Sequence, residues 1–216
     1  MPFDLEDWLA TASSSPGIVQ AGAAVLRRRA SDVTPPVLAS SAFARLVEIM
    51  VETMRAAPGV GLAAPQIGVP LRVFVAEDSE ERMAHQSGDA RALRGRAPLP
   101  LTVLVNPAVT PAAIPAGGEE ATFYEGCLSV RGYGALVRRA VAVEVTGIGL
   151  CGTPVSLRFD GWPARIMQHE MDHLDGTLYV DRMLPRSLAG EADLARLGSM
   201  PVSDVLRELV LSQDES

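Results

Sequence analysis

Lysine is absent from the 216-residue chain, so all 19 basic residues are arginine; set against 26 acidic residues they leave a net charge of −7. Phosphate recognition needs clustered cations, so this balance disfavours a nucleic-acid platform and no direct nucleic-acid readout is expected. Cysteine is scarce: only Cys127 and Cys151 occur. Two cysteines cannot form a disulfide framework for a chain of this size, and a reducing, cytoplasmic setting is the expectation. No long apolar run is present. The most apolar stretch, Gly59 to Ala76, is interrupted by Pro65, Gln66, Pro70 and Arg72, so no membrane span is expected. Near the start, Asp4, Glu6 and Asp7 stand where a secretory leader would carry positive charge, which argues against export.

What is present is enough to fold. With 48% hydrophobic and 21% charged residues the chain can bury a core. Its length corresponds to one domain of roughly 150 residues with generous extensions. The Ser13–Gly17 breaker suggests an N-terminal tail, set at residues 1–20; the organisation expected for the rest is a central domain over 21–186, whose extent follows the family resemblance given below, and a C-terminal helical tail over 187–216.

Within the central domain, Phe43, Leu46, Val47, Met50, Val51 and Met54 recur at helical spacing, with Ser40 or Ser41 as cap and Pro58-Gly59 as stop. Leu71–Ala76 and Leu101–Val105 read as strands. The segment Glu77–Pro100 between them, which holds His85, shows no periodicity and reads as a long loop. Val141, Val143 and Val145 alternate with smaller or polar residues, then pass through a glycine-rich turn containing Cys151 into Val155, Leu157 and Phe159, an antiparallel hairpin. After Gly161 the spacing of Trp162, Ile166, Met167 and Leu174 predicts a helix. The fold class expected is α+β, with antiparallel or mixed sheets packed around that helix.

Two of only three histidines stand at i and i+4 on this helix, in His169-Glu170-Met171-Asp172-His173. Helical geometry puts them on one face, close enough to share one divalent ion, and places Glu170 where its carboxylate reaches a metal-bound water without being a ligand. A catalytic site of this kind needs a third protein donor. The register of one metallopeptidase class would put a histidine where Tyr179 stands; Glu191, in the manner of another class, is a distant candidate. Cys127, in the turn Glu125-Gly126-Cys127-Leu128-Ser129, is the stronger one. A thiolate with two imidazoles suits iron(II), zinc, nickel or cobalt.

Gly59-Val60-Gly61-Leu62-Ala63-Ala64-Pro65-Gln66, Glu125-Gly126-Cys127-Leu128-Ser129 and Gln168-His169-Glu170-Met171-Asp172-His173 resemble, in order, the three signature motifs of peptide deformylases. The resemblance runs from about Gly22 to Leu184. It implies a deformylase-like fold and a hydrolase that releases formate from the N-terminal formyl-methionine of nascent polypeptides. One divalent metal, natively Fe2+ by preference over Zn2+, Ni2+ or Co2+, is implied on Cys127, His169 and His173. Glu170 is implied as general base and then acid, with the Gln66 amide and the Leu128 N–H stabilising the oxyanion. Val60, Gly61, Phe123, Gly126 and Trp162 are implied as substrate-binding residues, and Arg139 with Asp172 as a supporting ion pair. Formyl-methionyl nascent peptides are the expected partners, and the ribosome that produces them is a further candidate. The chain departs from the family pattern at Gly134, where many members carry glutamine or arginine to bond the peptide.

Overall fold

A computed structural model of the chain describes residues 3–12, 16–57, 59–84, 88–113 and 119–209. Its α-helices are α1 (Leu5–Thr11), α2 (Pro35–Leu38), α3 (Ser41–Ala56), α4 (Glu80–Met83), α5 (Gly88–Leu93), α6 (Gly161–Leu174), α7 (Glu191–Leu197) and α8 (Val202–Glu208). The strands are β1 (Gly61–Ala63), β2 (Val73–Asp78), β3 (Leu99–Pro111), β4 (Glu120–Cys127), β5 (Val130–Ala140), β6 (Ala142–Ile148), β7 (Pro154–Asp160) and β8 (Ala189–Gly190). They form a five-stranded sheet of order β1-β2-β3-β6-β7 and a three-stranded sheet of order β4-β5-β8, antiparallel throughout. The architecture is α+β, as the pattern predicts, and α6 packs against strands of both sheets.

Local chemistry accounts for the elements that carry the site. The Ser40 hydroxyl accepts from the Phe43 N–H at 3.1 Å and caps α3, whose Phe43, Leu46, Met50 and Met54 are buried. Pro58, the expected stop, lies outside the described residues; the helix closes at Ala57. The helix α6 begins where Gly161 and Gly95 meet backbone to backbone, the Trp162 N–H donating to the Gly95 carbonyl at 3.1 Å. Further along it, the Gln168 amide accepts from the Ala140 N–H at 3.1 Å and donates to the Ala140 carbonyl at 2.8 Å, fixing the helix to β5.

The segment between β2 and β3 is more ordered than its lack of periodicity suggests. It contains α4 and α5, and Arg96 grips the fully buried Asp78 through two hydrogen bonds of 2.7 and 3.0 Å. The Arg82 guanidinium donates to the carbonyls of Ala57 and Gly59. Ion pairing and arginine-to-carbonyl bonds, rather than an apolar stripe, hold this segment, which is why hydrophobic spacing misses it. His85 lies outside the described residues. Near the N-terminus, Leu5 of α1 is buried in the same apolar cluster as Leu46 and Met50, with Trp8 packed against it.

Candidate metal centre

Strand β4 ends at Cys127 and delivers its thiol to the inner face of α6. The cysteine Sγ lies 3.2 Å from His173 Nε2, and ligand atoms of Cys127, His169 and His173 all fall within 4.8 Å of one another. The two imidazoles, one helical turn apart, have ring centroids separated by 5.1 Å. Among the described residues this is the group of histidine, cysteine or carboxylate side chains so placed, and Glu191 does not belong to it; Tyr179, which stands where the metallopeptidase register needs a histidine, stacks on His169 with ring centroids 6.4 Å apart.

Orientation of the first histidine comes from Glu125, which sequence reasoning left without a role. Its Oε2 lies 2.9 Å from His169 Nδ1, leaving Nε2 for a ligand. Arg139 bonds both Glu125 oxygens, at 2.8 and 2.9 Å, and reaches Asp172 at 2.7 Å; Arg165 adds a bond of 2.6 Å to Glu125. The Arg139–Asp172 pair thus exists as expected and continues into a buried network of two guanidiniums and two carboxylates. The one local hint was Glu125 itself, a carboxylate within the cysteine motif whose charge needs a partner once buried; which arginines meet it is settled only by the fold.

The electrostatics follow from burial and these neighbours. Burial alone would raise the Glu125 pKa, but the charge and hydrogen bonds of Arg139 and His169 prevail and hold it well below the usual carboxylate range. Burial works against both guanidiniums; Glu125 and Asp172 outweigh it for Arg139, whose pKa rises, whereas for Arg165 burial prevails and lowers it. For His169, burial is opposed by Cys127 and Glu125, which raise its pKa, while burial and the neighbouring His169 push His173 down. Glu170 is pushed up to about 7, chiefly by burial. Its Oε2 is buried without a hydrogen-bond partner among the described residues.

Gln66 sits on the far side of the thiol. Its Oε1 accepts from the Ala63 N–H at 2.8 Å, which aims Nε2 at Ser129 Oγ, 3.3 Å away, and at Cys127 Sγ, 3.6 Å away. A cavity of about 850 Å3 opens beside these groups, and Val60, Gly61, Gly126, Leu128 and Trp162 line it with Cys127, His169 and Glu170. Phe123 does not line it. Its ring stands edge-on to Trp162 at 6.3 Å, with the Arg165 guanidinium 5.2 Å from its centroid, and it borders a smaller pocket instead.

A soft sulfur donor and two imidazoles within 4.8 Å of one another, beside an unpartnered buried carboxylate, fit a transition-metal ion. The polypeptide deformylase family model matches residues 16–188. The chain belongs to the polypeptide deformylase family. Peptide deformylase 1 of Streptomyces coelicolor is 50% identical over 197 residues, 91% of this chain and 86% of the relative. Peptide deformylase 1A, chloroplastic, of Solanum lycopersicum is 46% identical over 172 residues, covering 80% of this chain; the chain spans 61% of that relative's length. Among solved structures, a class I type b peptide deformylase from Acinetobacter baumannii, bound to Met-Ala-Ser, matches with a TM-score of 0.66 at 32% identity, over 78% of this chain and 98% of that one. The chain is an enzyme of the deformylase family, and no helix among its described residues is long and apolar enough to cross a membrane.

Proposed function

We propose that this deformylase removes the formyl group from the N-terminal formyl-methionine of nascent polypeptides and releases formate. The observation that carries the reading is the convergence of Cys127, His169 and His173 within 4.8 Å beside the unpartnered buried Glu170 carboxylate. These three residues hold the ion; the donor set suits Fe2+, and also Zn2+, Ni2+ or Co2+. When bound, the ion supplies Lewis acidity at the formyl group.

Glu170 takes the proton of the attacking water and passes it to the departing amine, a role for which a carboxyl poised near neutrality is suited. The Gln66 amide and the Leu128 N–H face the oxygen on which charge develops; one such donor is worth about 3–4 kcal/mol of barrier. Val60, Gly61, Gly126 and Trp162 receive the methionine, while Phe123 acts on that pocket only through the Trp162 ring it supports. Glu125, with Arg139 and Arg165 behind it, keeps His169 turned toward the ion. Residues 21–186 form the catalytic unit, with extensions over 1–20 and 187–216, and the setting is the cytoplasm, with the ribosome supplying nascent chains.

The test is formate release from formyl-Met-Ala-Ser by anaerobically purified protein of measured metal content, against Glu170→Ala. The expected result is turnover by the wild type and a loss of at least about 100-fold in the variant, with metal retained. Metal-loaded wild type that releases no formate would overturn the reading.

A further inference from the structure

We propose that α7 is a wall of the peptide groove and that Leu194 determines specificity for the side chains that follow the formyl-methionine. The inference rests on the deformylase reading above. The cavity beside the metal centre, at about 850 Å3, is near the top of the roughly 300–1,000 Å3 range of ligand pockets and far exceeds what one methionine side chain fills. Its lining includes Val60, Trp162, Cys127 and His169, the β5 stretch from Val130 to Tyr133 and, from α7, Glu191 and Leu194.

Leu194 occupies space that a residue-134 side chain would otherwise take. A Cβ on the buried Gly134 would lie 2.8 Å from Leu194 Cδ2, and also 2.8 Å from the Glu125 carbonyl oxygen. Leu194 of α7 therefore fills the volume beside position 134 of β5 that the glycine leaves free. Leu194 thus adds an apolar surface to a stretch of lining that also holds Arg131 and Glu191, where a longer polar residue at 134 would have offered hydrogen bonds.

The helix is held firmly enough to act as a wall. Strand β8, immediately before it, pairs Gly190 with Tyr133 and Ala189 with Gly134. Leu197, one turn after Leu194, is buried in a cluster with Leu136, Val205 and Leu206, and the Arg94 guanidinium donates to the carbonyl of Gly198 just past the helix end. Anchoring thus falls to Leu197, while Leu194 stays half-buried at the cavity beside Tyr133, which is 53% exposed. An apolar peptide side chain laid over Leu194 and the Tyr133 ring would remove both from water.

The experiment measures KM for formyl-Met-Ala-Ser, formyl-Met-Leu-Ser and formyl-Met-Ala-Leu with the metal-loaded full chain. The wild type should bind at least one leucine peptide about three- to tenfold better than formyl-Met-Ala-Ser. Leu194→Ala should bring that ratio below about twofold, and Leu194→Met, which restores the apolar bulk, should keep it. A wild type without the preference overturns the inference, as does a Leu194→Ala variant in which the ratio stands or all three KM values move together. Absence of formate release from every peptide by the wild type overturns the deformylase reading and the inference with it.

Discussion

A Cβ at position 61 would lie 2.2 Å from Oε1 of Glu170, so the carboxylate rests in the space that Gly61 leaves empty. Gly61 lines the cavity and, by lacking a side chain, also leaves a seat for the candidate base. Gly61→Ala should displace the carboxylate from its position and lower kcat by about 100-fold or more, while the bound metal stays near that of the wild type. Formate-release kinetics together with metal analysis check this, and a variant with normal kcat would contradict the seat.

Loss of the thiol should cost the metal. With Cys127→Ala, two imidazoles remain, too few for a catalytic site with three protein ligands. The variant should purify with little bound ion and no formate release. Chelation of the wild type should reproduce both effects and lower its melting temperature, because an ion bound only by the folded state stabilises that state. Elemental analysis and thermal melts before and after restoring Fe2+ or Zn2+ read the outcome.

Glu125 links the site to pH. Its folded pKa is held below the ordinary value of 4.5. Acidification therefore protonates the unfolded chain first. The contribution of this carboxylate is fully present above pH 4.5 and is lost as the pH falls through that value toward the folded one. Glu125→Gln should destabilise the metal-free protein by about 3–5 kcal/mol at neutral pH, since it leaves Arg139 and Arg165 buried with too little countercharge. Urea unfolding of both proteins at neutral pH and again at about pH 3.5 should show the gap narrowing in acid.

The segment between β2 and β3 packs its arginines against Trp162, a residue of the cavity lining. Asp78 is fully buried against Arg96, while the Arg94 and Arg96 guanidiniums stand 5.4 and 5.8 Å from the Trp162 ring centroid. Asp78→Ala should destabilise the fold by about 3–5 kcal/mol through the uncompensated Arg96. It should also raise KM for formyl-methionyl peptides by loosening Trp162. Chemical unfolding and steady-state kinetics measure the two effects, and a stability loss with KM unchanged would detach the segment from the pocket.

Periodicity made α3, the β6–β7 hairpin and α6 legible, because α3, β6 and α6 turn an apolar stripe toward a core and the stripe is visible in the order of residues; in β7 Val155 and Phe159 pack on that core while Leu157 is exposed. The histidine pair was legible for the same reason: the spacing of one helical turn is a local property. Cys127 was a strong candidate but not a settled one, since nothing in local sequence says which distant strand meets α6. Glu125 and Arg165 escaped because their roles exist only across the β4–α6 contact, and Phe123 was assigned to a pocket that its side chain does not border. Pairing of Leu194 with Gly134 was equally hidden, for it joins residues 60 positions apart through the return of the chain along β8.

The central claim is that one sulfur and two ring nitrogens from separate parts of the chain hold a single ion. X-ray absorption at the metal edge of the zinc-loaded protein tests it most directly. The account predicts one sulfur at about 2.3 Å and two nitrogens at about 2.0–2.1 Å, with a lighter ligand completing the shell. A spectrum with no sulfur scatterer, or one unchanged by Cys127→Ala, would contradict it.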